Sequence, residues 1–132
     1  MAAKQRTEFT VSVPHRPGEL GKVFDALAKG KVNVLGVCGW GEGETAKVLI
    51  VADNEAKARK ALSGSGFSFA EAPVVTVSGP SGQGTGAKIS ARLAGAGINI
   101  DHVYASTSGK GSGVIVLHVG DAAAALKALG GK

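Results

Sequence analysis

Val32-Asn33-Val34 returns 66 positions later as Ile98-Asn99-Ile100. The same offset carries Val11 to Val77, Gly18 to Gly84, Val23 to Ile89 and Leu27 to Leu93. A strand, a loop glycine, a helix face and a second strand therefore recur in one register, which marks an internal duplication. The halves meet between Gly64 and Pro73, where turn-forming glycines and serines lead into Phe67-Ser68-Phe69 and then Glu71-Ala72-Pro73. Two domains are predicted, residues 1–70 and 71–132.

Each half spells out the same order of elements. Phe9, Val11 and Val13 alternate with polar residues, the period of a half-buried strand. Pro14-His15-Arg16-Pro17-Gly18 interrupts it. Leu20, Val23, Phe24, Leu27 and Ala28 then follow helical spacing, with Glu19 at the positive end of the helix dipole and Gly30 closing the helix. Lys31 to Trp40 and Thr45 to Ala52 read as a hairpin about Gly41-Glu42-Gly43-Glu44. Asp53 is the expected N-cap of a helix through Leu62, and Phe67 to Ala70 the expected fourth strand.

The second half runs from a strand at Val74 to Ser78, through a loop at Gly79 to Gly84, to a helix over Thr85 to Ala96. A strand over Ile98 to Ser106, a turn at Thr107 to Ser112, a strand over Gly113 to Val119 and a helix capped by Asp121 complete it. The predicted fold class is α+β. It comprises two ferredoxin-like βαββαβ units, antiparallel sheets with helices on one face, the second lacking an obvious last strand. An open edge is costly, so Phe67 to Ala70, another chain or both are expected to cover it, and a homodimer is anticipated.

The 132 residues, 44% hydrophobic and 19% charged, can bury a genuine core and leave no room for a large multidomain enzyme. The stretch MAAKQRTEFT has no apolar run behind Lys4 and Arg6, and no other run approaches a membrane span. No membrane partner and a cytoplasmic location are expected. The net charge of +5 comes from scattered basic residues mixed with acids, which fits a solvated surface better than nucleic-acid binding. Few aromatics are available to stack on bases, and Phe9 and Phe24 read as core. Cys38, the single cysteine, reads as a small buried hydrophobe.

Gly82-Gln83-Gly84-Thr85-Gly86-Ala87 fits a dinucleotide fingerprint, but the chain turns into a hairpin where a Rossmann sheet must continue. No cofactor is expected. His15, His102 and His118 have no nucleophile or carboxylate at a recognisable catalytic spacing, so no enzyme activity is expected. His118 lies between Leu117 and Val119, pointing away from both, and is disfavoured as a metal ligand; no metal is expected. In both halves, by contrast, a strand enters a glycine-bearing loop and then a helix N-terminus, whose unpaired N–H groups attract a carboxylate. The strand that follows opens hydrophobic-Asn-hydrophobic. Asn33 or Asn99 can accept from an ammonium and donate to a carboxylate, or equally tie down its own loop.

Pro17-Gly18-Glu19-Leu20, Phe24-x-x-Leu27-Ala28 and Val32-Asn33-Val34 resemble the signature of ACT domains, ligand-sensing modules of amino-acid metabolism. Gly84-x-Gly86 through Leu93-Ala94 and Ile98-Asn99-Ile100-Asp101 resemble it again, the last four residues being similar to the regulatory region of aspartate kinases. The loop Gly79 to Gly84 departs from the family by lacking the compact Arg-Pro-Gly-Glu of the first half.

The resemblance implies a tandem pair acting as a non-catalytic amino-acid sensor, with a regulated enzyme or regulator as a further partner. It implies a preferred site of His15, Arg16, Pro17, Gly18, Glu19 and Leu20 together with Asn99, Ile100, Asp101 and His102. A second candidate site combines Gln83, Gly84 and Thr85 with Asn33, Val34 and Gly36. The alternatives are a ligand-free assembly subunit, or a detached regulatory subunit of an amino-acid biosynthetic enzyme.

Overall fold

Glycine at both ends of the first helix, and a strand-forming run on either side of it, set the repeating pattern of the molecule. The computed structural model describes residues 2–80, 82–107 and 111–131. Its elements are β1 (Ala2–Pro14), α1 (Glu19–Lys29), β2 (Val34–Glu42), β3 (Thr45–Ala52), α2 (Glu55–Gly64), β4 (Ser68–Pro80), α3 (Thr85–Gly95), β5 (Ile100–Thr107), β6 (Ser112–Val119) and α4 (Ala122–Ala128). The fold is α+β. Among the described residues no helix is long and apolar enough to cross a membrane.

The 66-residue offset reproduces the bounds of β1 in β4, and those of α1 in α3. β6 and α4 begin 67 residues after β3 and α2. The chain divides into two compact units, Thr7–Ala72 and a second made of Met1–Arg6 with Pro73–Lys132. β1 and β4, 13 residues each, contribute a segment to both.

In the Thr7–Ala72 unit the strand order is β2-β3-β1-β4. β3 pairs antiparallel with both β1 and β2. Alternate residues of the central strands, Phe9, Val11 and Val13 with Val48, Ile50 and Ala52, bury one face against Val23 and Leu27 of α1 and Ala58 and Leu62 of α2. Phe69 packs edge-on to Phe9 at 5.9 Å between ring centroids, and Arg59 reaches over Phe9 to make a two-pronged pair with Glu71 (2.9 and 2.7 Å). Phe24, expected in this core, lies instead on an exposed helical stripe and is 36% accessible. The helix buries Val23, Ala26 and Leu27, and the stripe one residue further round faces outward. Cys38 is half-buried on β2.

α2 is capped by Asn54, whose side chain accepts from the Lys57 N–H at 3.0 Å, and not by Asp53. Both residue types cap well. The Asp53 N–H is taken by the Asn33 carbonyl at 3.0 Å, which fixes Asp53 in the preceding turn.

In the second unit the order is β5-β6-β4-β1, with Val75, Val77, Ile89, Leu93, Leu117, Val119, Ala122 and Ala125 forming the core. Asp121 caps α4 through the Ala124 N–H. The missing fourth strand is supplied by the beginning of β1: residues 2–6 lie beside β4, and Ala3 packs against the core. Residues 67–70 do not cover that edge. They fill the equivalent place in the other unit, because β4 runs unbroken through Pro73 and its first residues belong there. The open edge that was the ground for expecting a homodimer is therefore closed by the chain itself. The expected turn at Thr107 to Ser112 falls partly outside the described residues, as does Ser81 of the second loop.

Candidate functional site

β1 ends where Pro14 pairs with Thr45, and the chain then turns sharply across the tip of the β2–β3 hairpin. The His15 N–H donates to the Glu44 carbonyl at 2.8 Å, and the Arg16 N–H to the Pro14 carbonyl at 3.1 Å. The His15 imidazole lies on Gly41, where any Cβ would collide with it. Gly18 then takes a left-handed conformation, φ 87° and ψ −15°, and starts α1. That conformation disfavours side chains with a Cβ.

Gly18 has no side chain with which to cap the helix. The first-turn N–H groups of Leu20 and Gly21 therefore have no acceptor within the helix. Gly84 repeats the arrangement at α3, φ 85° and ψ 0°, again without a side-chain cap. Asn54 and Asp121, in contrast, cap α2 and α4 with their side chains. Each unit thus caps one of its two helices and leaves the other open, at the loop following its first strand.

In the Thr7–Ala72 unit that loop borders an open cleft of about 800 Å³. Pro14 to Leu20 form one side, and Val37, Gly39, Trp40 and Gly41 of β2 with Ala46 to Val48 of β3 form the other. Phe24 extends the apolar lining from α1. Trp40 and Leu20 are 43% and 47% exposed, large apolar surfaces left uncovered beside polar groups.

The Glu19 side chain is buried. Its carboxylate accepts from Arg16 Nε at 2.8 Å and Lys22 Nζ at 3.1 Å. These hydrogen bonds, Arg16 first, hold its carboxyl below the ordinary carboxylate range. Lys47 adds a further cation, its Nζ donating to Ser12 Oγ at 2.7 Å. Among the residues lining the cleft, Arg16 and Lys47 stand against one carboxylate, Glu19, and an uncapped helix N-terminus reinforces the positive charge. Such a cleft accommodates a small anionic group next to an apolar body.

The corresponding cleft of the second unit is smaller, about 290 Å³. Thr85 stands where Glu19 does, and its Oγ1 bonds both the N–H and the carbonyl of Gly82 at 3.1 Å. Ser106 stands in place of Trp40. Gln83 and Gly84 are exposed in this loop.

Of the residues foreseen from sequence, His15 to Leu20 all line the larger cleft. Asn99, Ile100, Asp101 and His102 lie at the start of β5 in the second unit: Asn99 and Asp101 are exposed, Ile100 packs on the core, and His102 stands opposite His118. Asn33 is exposed and uses its carbonyl on Asp53, Val34 packs on the first core, and Gly36 pairs with Val51. Sequence reasoning missed Phe24, Val37, Trp40 and Lys47. The signal for Trp40 was present in its placement between Gly39 and Gly41, two residues that leave room on an edge strand.

No protein-family description and no curated protein matches this chain. Solved structures do. A Bacteroides thetaiotaomicron protein superposes with a TM-score of 0.85 at 22% identity, over 97% of this chain and 88% of its own. The regulatory subunit of aspartate kinase from Thermus thermophilus superposes with 0.68 at 23% identity, over 98% and 93%. That from Thermus flavus gives 0.58 at 21%, over 98% and 95%. At these identities the likeness is one of fold, and the fold is that of the regulatory subunits along nearly the whole chain.

Proposed function

We propose that the protein is a non-catalytic regulator that binds an amino acid, with the cleft of the Thr7–Ala72 unit as its receptor. The observation that carries this reading is the pairing of an uncapped helix start at Gly18 with an apolar wall of Trp40, Phe24 and Leu20. The ligand carboxylate meets the N–H groups of Leu20 and Gly21, and Arg16 and Lys47 add to the positive potential. The ligand side chain lies on the apolar wall. His15, fixed over Gly41, orients one edge of the cleft.

The fold shared with aspartate kinase regulatory subunits and the sequence resemblance to ACT domains support a regulatory role. Binding then acts by changing how the protein engages an enzyme or another regulator. A thermal-shift screen of the twenty amino acids tests it: a ligand at ~100 times its dissociation constant stabilises the native state by about 2.7 kcal/mol. No shift with any of the twenty rejects the sensor and leaves the ligand-free assembly subunit.

A further inference from the structure

His102 and His118 face each other directly across the β5–β6 pair of the second unit. Their rings are 4.4 Å apart between centroids and tilted by 31°. A ring nitrogen of one lies within 4.8 Å of a ring nitrogen of the other. Both are half-buried, and Tyr104 stacks on His102 at 6.2 Å and 14°.

The duplication supplies a control inside the molecule. In the Thr7–Ala72 unit the corresponding pair, also placed just after a register shift in the ladder, is Gly36 opposite Val51. The fold therefore does not require two imidazoles at this position.

We propose that His102 and His118 form a binding site for a divalent transition metal of the Zn²⁺, Cu²⁺ or Ni²⁺ class, for which imidazole is a favoured ligand. Two metal–nitrogen bonds of about 2.0–2.1 Å at a tetrahedral angle hold the nitrogens about 3.3 Å apart, within reach of small ring rotations from the observed positions. The backbone ladder fixes both strands beforehand, so little ordering is needed. The ion fastens the edge strand β5 to β6. The proposal does not depend on the amino-acid-binding reading of the other unit.

The test is a ZnCl₂ titration of metal-free protein by calorimetry. One Zn²⁺ per chain is expected, with His102→Ala and His118→Ala each weakening binding by about tenfold or more. Cys38→Ser, which removes the one thiol, leaves it unchanged. Failure of the wild type to take up Zn²⁺, or binding retained in both histidine variants, overturns the proposal. Should either variant fail to fold by circular dichroism, Cu²⁺-loaded wild-type protein decides by electron paramagnetic resonance. Two imidazole nitrogens per copper support the site, and one or none overturns it.

Discussion

Thr76 Oγ1 donates to the carbonyl of Lys4 at 3.4 Å, joining the middle of β4 to the first residues of the chain. Through this neighbour relation residues 2–6 occupy the place of the fourth strand in the second unit. Deleting residues 2–6 should therefore expose the β4 edge at residues 73–80 and loosen Ala3 from the core. The expected cost is about 2 kcal/mol or more, read as a lower denaturation midpoint. Amide exchange should accelerate in residues 73–80 first. Undiminished protection there would contradict the strand assignment.

Sequence revealed most of the rest of the fold because periodicity and offset reinforce one another. Val23 and Leu27 pack as their spacing predicts, and so do Ile89 and Leu93 in the second copy. The first strand was harder to delimit. Lys4 and Arg6 interrupt the apolar pattern ahead of Phe9, and pairing at an edge is set by backbone groups that leave no side-chain signature. In the cleft, the loop was legible from Arg16-Pro17-Gly18-Glu19, but its opposite wall was not. Val37 and Trp40 come near the loop only through the antiparallel register of β2 with β3.

A second prediction concerns pH. Glu19, hydrogen-bonded by Arg16 and Lys22, has a folded-state pKa below its ordinary value. Its contribution to stability is complete above the unfolded-state pKa and is lost as pH falls through the lower folded-state value. Glu19→Gln should lower the unfolding midpoint at neutral pH, and the gap from wild type should close below about pH 4. A gap that stays constant in acid would show that the charge is not the cause.

His15 and Gly41 should be energetically coupled. Gly41→Ala places a methyl group where the imidazole lies, so it should displace the ring. His15→Ala removes the obstacle. A double-mutant cycle should give a coupling of about 1 kcal/mol, with the double variant more stable than the sum of the single changes allows. Simple additivity would mean that the ring does not rest on Gly41.

Gly18 should tolerate substitution only at the expense of backbone strain. Nothing lies within 4 Å of a Cβ built there, so Gly18→Ala meets no collision, and its left-handed φ alone should destabilise by about 1–2 kcal/mol. Gly18→Asn should cost less, because asparagine visits this region more readily. Equal costs for the two would remove the conformational explanation.

The central claim is that a ligand carboxylate sits at the open N-terminus of α1. Isothermal calorimetry of the amino acid identified by screening, against wild type and Gly18→Asp, tests it most directly. Aspartate tolerates the left-handed conformation, places a negative charge at the carboxylate position and can itself cap the helix. A folded Gly18→Asp variant should lose detectable binding. Binding at wild-type affinity in that folded variant would contradict the claim and place the ligand elsewhere.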